Sequence, residues 1–197
     1  MFDRIGVQES AKAVLDALCD DARSILTADP GPEGQETLCR RLVPVLTDRE
    51  FLDAYGGPGT SPGSHRLYCD PDLGFTVVMY IGRAGRGESP PHDHGDDWAI
   101  YGQSALYTDM RDFEIVSGSR FDNTAIVEET KSYRLNPGDA YLYKVGDIHS
   151  INPLFDCRYV RIAGSPADHF TPVGPVGDEM RAIWGAGFTE RPKRSPA

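Results

Sequence analysis

Two histidines separated by a single residue, His92 and His94, constrain the fold of this chain more than any other feature. Side chains alternate across an extended strand, so histidines at positions i and i+2 project from one face. His149 follows much later in a glycine-bounded segment, and from a distant strand it could complete one facial set of ligands. Neutral histidine nitrogen suits Fe, Zn, Cu and Ni. One such histidine alone would more often be an ordinary core or loop residue, but the three together predict a mononuclear metal site inside a β-barrel.

The chain from residue 65 onward has the pattern of an all-β domain. Short apolar segments are separated at close intervals by turns rich in Gly, Pro, Asn and Asp. Many short strands with regular turns indicate a sandwich or a barrel. The predicted strands cover residues 65–69, 75–81, 98–106, 113–116, 125–128, 131–135, 140–144 and 158–163.

The residues before this segment have helical periodicity. Apolar side chains recur on one stripe over residues 7–27, and a second helix is predicted over 34–46. Thr47 and, three residues later, Glu50 form a capping-box signature for a short third helix through Tyr55. We therefore expect a helical region, 1–60, that packs on a barrel, 61–173, and a partly disordered C-terminal extension, 174–197.

Composition excludes several classes of function. A chain of 197 residues fits one domain with a proper core. Its formal net charge of −10 opposes binding to nucleic acid or to an anionic membrane surface, because both require basic patches. No apolar run approaches the ~20 residues needed to span a bilayer, and the four cysteines have no C-x-x-C spacing. The expectation is a cytoplasmic protein whose partners are small molecules, with a homodimer left open.

Two segments around the histidines resemble the paired motifs of the cupin superfamily. The first, 87–94, has a glycine, a short spacer and His-x-His. The second, 138–152, has two glycines, His149 and Asn152 at fixed offsets, with Lys144 where cupins usually carry proline. Cupins are double-stranded β-helix barrels that bind a metal on inward-facing side chains. The resemblance implies an all-β fold of this kind, preceded by N-terminal α-helices.

The resemblance extends to the thiol dioxygenase branch of the cupins, which contains cysteine dioxygenase and 3-mercaptopropionate dioxygenase. Segments 67–75, 91–98 and 146–149 are similar to that branch. The likeness implies Fe(II) held by three histidines and the O2-dependent oxidation of a small thiol to a sulfinate. Those enzymes carry Ser-x-His-x-Tyr on the strand after the third ligand, where this chain has Tyr159, Arg161 and Ala163. Their catalytic hydrogen-bond chain is therefore absent or rebuilt here, and the substrate is left as a small, anionic organic molecule.

The residues after His94 favour a site with three histidines only. Many cupins supply a glutamate four or five residues further on, but Trp98 and Ala99 occupy those positions and neither can ligate. Three neutral ligands leave the full 2+ charge and several open positions, which favours two anionic partners at once, such as a thiolate and reduced O2. Fe(II) is the expected ion. Zn, Ni or Mn on the same histidines would instead support a lyase, an isomerase or a hydrolase.

Three more residues are candidates for contacts with substrate or oxygen. Strand alternation from Ala99 would point Tyr101 and Gln103 into the barrel, although Tyr101 could simply pack in the core with its hydroxyl satisfied. Arg161 could pair with a substrate carboxylate as a two-pronged donor. The apolar residues on either side of Arg161 are, by binary pattern, the ones expected to be buried, which would place Arg161 on the surface.

Other interpretations stay open. One is a 2-oxoglutarate-dependent oxygenase, in which His94, Asp96 and His149 form a two-histidine, one-carboxylate triad. Another is a small-ligand binding module without turnover. Asp93, between two expected ligands, should point away from the metal, where it either orients a neighbouring loop or is solvated. His169 is expected near the surface or in a lid.

Overall fold

A computed structural model describes residues 3–120, 124–164 and 171–172. Within these ranges, helices precede strands. The helices are α1 (Asp3–Ala28), α2 (Pro32–Leu42), a 3-10 helix (Val43–Thr47) and α3 (Arg49–Gly56). The strands are β1 (Gly63–Cys69), β2 (Thr76–Ile81), β3 (His92–Asp93), β4 (Ala99–Ala105), β5 (Thr108–Ser117), β6 (Ile126–Leu135), β7 (Ala140–Tyr143), β8 (Ile148–Pro153), β9 (Arg158–Ala163) and β10 (Thr171–Pro172). His169 and the extension 174–197 lie outside the described residues.

Prolines determine where the first two helices stop. α1 ends shortly before Pro30, since proline disfavours helical backbone at the residue that precedes it. α2 ends at Leu42 rather than at the expected residue 46. Pro44 has no N–H to donate to the helix, so the chain continues as a tighter 3-10 helix. No helix in the described ranges is both long and apolar enough to cross a membrane.

The cap of α3 lies one residue away from its predicted position. The sequence predicts Thr47 as the capping residue, whereas the structure uses Asp48. The Asp48 carboxylate accepts a hydrogen bond from the N–H of Phe51 at 2.8 Å, which satisfies one of the free donors of the first turn. The buried ring of Phe51 then anchors this short helix on the sheet below it.

The strands form two facing antiparallel sheets of five strands each. The first sheet has the order β1-β2-β9-β4-β7 and the second the order β10-β3-β8-β5-β6. Along the chain, β2 to β5 alternate between the sheets, β5 and β6 form a hairpin, and β6 to β10 alternate again on the way back. This winding is a double-stranded β-helix, so the predicted fold class is confirmed.

A bulge explains one difference from the predicted strands. The sequence predicts separate strands over 125–128 and 131–135, but β6 runs through both. Asp112 pairs with Lys131 and Phe113 with Glu129, which leaves Thr130 as an extra residue in β6. Its hydroxyl donates to the Asp112 carbonyl at 3.2 Å, so the bulge is held by a hydrogen bond and the strand continues past it.

One apolar layer lies between the helices and the outer face of the first sheet. It joins buried side chains of α1, α2, α3, β2, β4 and β9; among them are Leu18, Leu38, Leu42, Phe51, Val77, Met79, Ile100, Val160 and Ile162. Gly102 permits the close approach, because a Cβ there would lie 2.6 Å from a methyl carbon of Leu46. Over β2, β4 and β9, the outer face of this sheet is therefore buried.

A second layer fills the space between the two sheets. Its buried members come from both: Tyr80, Ala99, Tyr101, Tyr143, Tyr159 and Ala163 from the first sheet, and Met110, Leu135 and Ile151 from the second. The central strands β2, β4 and β9 of the first sheet are thus buried on both faces, whereas its edge strands β1 and β7 are only partly buried. The phenolic side chains are concentrated on the inner face.

Candidate metal centre

The structure brings the three predicted ligands together inside the barrel. β3 pairs with β8 so that His92 lies directly opposite His149, and His94 follows His92 on the same segment. Their candidate ligand atoms all lie within 4.8 Å of one another. All three residues are buried; His149 is 0% exposed. Imidazoles in this arrangement could hold one metal ion between them.

Backbone carbonyls orient two of the rings. Nδ1 of His92 lies 2.9 Å from the carbonyl oxygen of Pro90, and Nδ1 of His149 lies 3.4 Å from that of Asp147. A carbonyl oxygen only accepts, so these contacts favour the tautomer with the proton on Nδ1, which leaves the lone pair on Nε2. Nε2 of His149 is buried and has no hydrogen-bond partner among the described residues. A metal ion would satisfy this buried acceptor, so the residues fit such a group.

Burial keeps the imidazoles of His92 and His149 neutral. It lowers the pKa of His92 to about 4, against the raising effect of the Pro90 hydrogen bond. Burial also lowers the pKa of His149 well below its usual value, and the charges that His92 and His94 would carry lower it further. Neutral rings have free lone pairs at pH 7, the form in which histidine binds a metal.

Tyr101 lies in the barrel beside these histidines, as strand alternation predicts. Its side chain is buried, and its hydroxyl oxygen is 3.4 Å from Nε2 of His94. In the first sheet, Tyr101 is paired in register with Arg161 on β9. The phenol is thus placed to interact with a molecule bound next to the three histidines.

Arg161 also lies in the barrel, although the apolar pattern of β9 points the other way. The residue is 9% exposed, and its positive charge contributes to lowering the pKa of both His92 and His149. The pattern misleads because Val160 and Ile162 are indeed buried, but against the helices outside the sheet. The sequence leaves the direction of Arg161 open, and the structure places it inside, because helices cover one face of β9 and the interior layer covers the other.

Gln103 faces the interior, but its amide already holds a turn. Nε2 donates to the carbonyl of Ala105 at 2.8 Å, and Oε1 accepts from the hydroxyl of Thr108 at 2.9 Å. These two bonds close the connection between β4 and β5. A role for Gln103 in substrate binding stays a prediction that these contacts do not favour.

Asp93 points away from the other two side chains of its segment, as expected, and it is buried rather than solvated. Its carboxylate pairs with Arg120 and accepts from the N–H of Gly95 at 2.8 Å. Arg120 is a residue that the sequence reasoning missed, because no local pattern connects a residue of the β5–β6 hairpin to the histidine segment.

Tyr143 is a second missed residue. Its ring stacks on His149, with the ring centroids 3.7 Å apart and the planes 14° from parallel. Its hydroxyl lies 2.5 Å from that of Tyr133, which in turn donates to Asp112 at 3.3 Å. Burial raises the pKa of both phenols, so both stay protonated. Asp112 lies opposite His149 in the pairing of β5 with β8. Only this register, which the sequence does not show, could have predicted that Tyr143, Tyr133 and Asp112 lie beside His149.

A cavity of about 420 Å³ opens beside this stack. Tyr143 lines it and also stacks on His149, so one aromatic ring contacts both the cavity and a candidate ligand. Asp112, Arg120, Tyr141 and Asp147 are also among its walls. The cavity therefore combines aromatic surface with charges of both signs.

The alternative triad of the 2-oxoglutarate enzymes is not favoured. It requires the Asp96 carboxylate beside His94 and His149, but Asp96 is exposed. In the part of the chain that the structure describes, His92 completes the cluster. The three-histidine set is the arrangement that the fold brings together.

No protein-family model matches the chain, and no curated protein matches it. Among solved structures, it is similar to an uncharacterized conserved protein with a double-stranded beta-helix domain from Klebsiella pneumoniae, at 14% identity, 63% coverage of this chain, 89% of that chain and a TM-score of 0.41. A cupin-2 domain containing protein from Shewanella frigidimarina is 13% identical, with 57% of this chain and 89% of that chain covered and a TM-score of 0.40. KdgF from Halomonas sp. is 19% identical, with 61% of this chain and 86% of that chain covered and a TM-score of 0.36. The fold of this chain rests on its own strand order and not on these similarities.

Proposed function

We propose that this protein is a mononuclear non-heme iron dioxygenase that uses O2 to oxidise a small organic anion at the three-histidine site. The observation that carries the proposal is the cluster of three buried imidazoles, with no carboxylate ligand among them in the described residues. His92, His94 and His149 would hold the ion. Fe(II) on three neutral ligands would supply redox chemistry and open coordination positions for two anionic partners.

Arg161 is the residue proposed to bind the substrate's carboxylate. Its guanidinium lies inside the barrel, near enough to His92 and His149 to lower the pKa of both. A guanidinium presents two parallel donors to a carboxylate, which fixes orientation as well as charge. This selects small carboxylic acids, and the resemblance to thiol dioxygenases adds mercapto acids as the first compounds to assay.

Tyr101 is proposed to stabilise negative charge that develops on the bound substrate. Its hydroxyl lies 3.4 Å from Nε2 of His94, one of the proposed ligand nitrogens, so it borders the place where substrate would bind. A preorganised phenol donor in a buried site costs no reorganisation during the reaction. Tyr101 and Arg161 are paired across β4 and β9, which sets both donors on one wall.

The test begins with the metal content of the purified protein, followed by anaerobic reconstitution with Fe(II). O2 uptake is then measured over a panel of small mercapto acids and their hydroxy analogues. We expect substrate-dependent O2 uptake with iron and none with His149→Ala. Occupancy by zinc alone, with turnover that continues without O2, would end the dioxygenase proposal.

A non-oxidative metal enzyme is the second candidate. The observation that favours it is the donor set itself, because three neutral histidines also suit Zn, which then activates water, and Ni or Mn could occupy the same nitrogens. Such a lyase, isomerase or hydrolase would use Tyr101 to move a proton. A strictly anaerobic assay separates the candidates, since only the dioxygenase loses turnover.

A further inference from the structure

Arg120 joins the two segments that carry the histidines. Its guanidinium pairs with the carboxylate of Asp93, the residue between His92 and His94. It also packs against Gly146, where an added Cβ would lie 3.1 Å from Nη1 of Arg120. Gly146 lies in the turn that leads to His149. One side chain from the β5–β6 hairpin therefore contacts both ligand-bearing parts of the barrel.

The carboxylate of Asp93 transmits this contact to the neighbouring backbone. One oxygen is paired with Arg120, and the other accepts from the N–H of Gly95. Gly95 has a φ of +72°, so the chain turns sharply directly after His94. Both oxygens of Asp93 are therefore engaged. Asp93 precedes His94 and Gly95 follows it, so the backbone is held on both sides of this histidine.

Stability alone does not account for this ion pair. The Asp93 side chain is 1% exposed and that of Arg120 is 22% exposed, so the pair loses much of its hydration. A buried pair of this kind is often no better for stability than apolar residues of similar volume. What it does supply is a defined position for the Asp93 carboxylate, because Arg120 holds one oxygen and the N–H of Gly95 donates to the other.

We propose that Arg120 is a positioning residue for the metal centre. By clamping Asp93 and packing on Gly146, it sets the relative orientation of the His92–His94 segment and of His149. This inference rests on the proposed function only in that the three histidines bind a metal ion; it is independent of iron and of O2. Residues outside the ligand shell that orient metal-binding histidines typically change metal affinity by about 10- to 100-fold.

The test is anaerobic titration with Co(II), followed by its visible absorption spectrum, in Arg120→Gln, Asp93→Asn and the double variant. Glutamine is too short to reach Asp93, so we expect about 10- to 100-fold weaker Co(II) binding and an altered spectrum at saturation. The double variant leaves no buried unpaired charge, so its thermal stability should return toward that of the parent while its Co(II) affinity stays low.

Arg134→Gln is the matched control. Arg134 forms an ion pair with Asp109 on the same hairpin, but both side chains are nearly half exposed. Breaking this surface pair should leave the Co(II) affinity and spectrum unchanged. Should Arg120→Gln fail to fold, Arg120→Lys keeps the charge but loses the planar fork, and we expect the same loss of affinity from it.

The outcomes separate the two proposals. Parental Co(II) affinity and spectrum in folded Arg120→Gln or Arg120→Lys would overturn the positioning role of Arg120. A parent protein that itself fails to bind Co(II), Fe(II) or Zn would instead remove the metal centre, and with it the proposed function. Weaker binding in the Arg120 variants with no change in the Arg134 control supports the inference.

Discussion

The two sheets of the barrel differ in how many of their faces are buried. The first is covered by helices outside and by the interior layer inside, so β2 is buried along its whole length. In the second, the edge strand β6 is mostly exposed. A polar residue in β6 is simply solvated. Arg161 in β9 is only 9% exposed, so its charge has to be met by groups inside the barrel.

Matched isoleucine truncations give the largest effect expected from this difference. Ile162 is 0% exposed under the helices, whereas Ile126 in β6 is 59% exposed. Ile162→Ala should lower the free energy of unfolding by about 2–5 kcal/mol, because it leaves a cavity between sheet and helices. Ile126→Ala should change it by less than about 0.5 kcal/mol. Urea unfolding measures both, and equal losses would mean that the helices do not pack on this face.

Replacing Arg161 tests whether the polar residue inside the first sheet binds substrate. In the proposed reaction, Arg161→Leu should lower kcat/KM for a carboxylic acid by roughly 100-fold, the size of a buried charge-assisted pair. The kcat/KM for the corresponding amide, which carries no negative charge to pair with the guanidinium, should fall far less. Kinetics with the acid and its amide therefore separate carboxylate recognition from general damage, and an equal loss for both compounds counts against the assignment.

Two phenols, one on each sheet, sharpen the comparison. Tyr101 on β4 borders His94, while the hydroxyl of Tyr133 on β6 contacts Tyr143 and Asp112 instead. Tyr101→Phe should lower kcat by about 100-fold, with little change in KM, because the lost hydroxyl acts on charge that develops during the reaction. Tyr133→Phe should have a much smaller effect on kcat. A larger fall in kcat from Tyr133→Phe than from Tyr101→Phe would mean that the reaction takes place nearer the cavity than His94.

Short-range sequence patterns predict the parts of this molecule that depend on neighbours in the chain. The spacing of His92 and His94 on one strand face, and the apolar stripe of α1, are of this kind. The double-stranded β-helix and the approach of His149 to this segment are not local in that sense; they could be anticipated because segments 87–94 and 138–152 resemble the paired cupin motifs.

Other features depend on which distant elements meet. The helices cover the outer face of the first sheet and bury Val160 and Ile162 there, so Arg161 points inward. An alternating pattern shows that two faces exist but not which of them faces the barrel. The Asp93–Arg120 pair and the stacking of Tyr143 on His149 require the register between strands, which a bulge at Thr130 helps to set. These contacts are long-range, so no local spacing encodes them.

Two aspartates, one at each sheet, should respond to pH in opposite directions. Burial tends to raise the pKa of Asp70, but hydrogen bonds from the N–H groups of Leu73 and Asp72 outweigh it, and the pKa is lowered. At the second sheet, burial raises the pKa of Asp112, against the hydrogen bond from Tyr133. The folded state therefore prefers ionised Asp70 and protonated Asp112.

The sign of each effect follows from linkage. The stabilisation from Asp70 is complete above its unfolded pKa of about 3.9 and fades as the pH falls below it, so Asp70→Asn should destabilise most at pH 7. Ionisation of Asp112 opposes folding as the pH rises above about 3.9, so Asp112→Asn should gain stability relative to the parent between pH 3 and 7. Urea unfolding across this range measures both. If the two differences from the parent changed in the same direction with pH, the contrast between the carboxylates of the two sheets would be wrong.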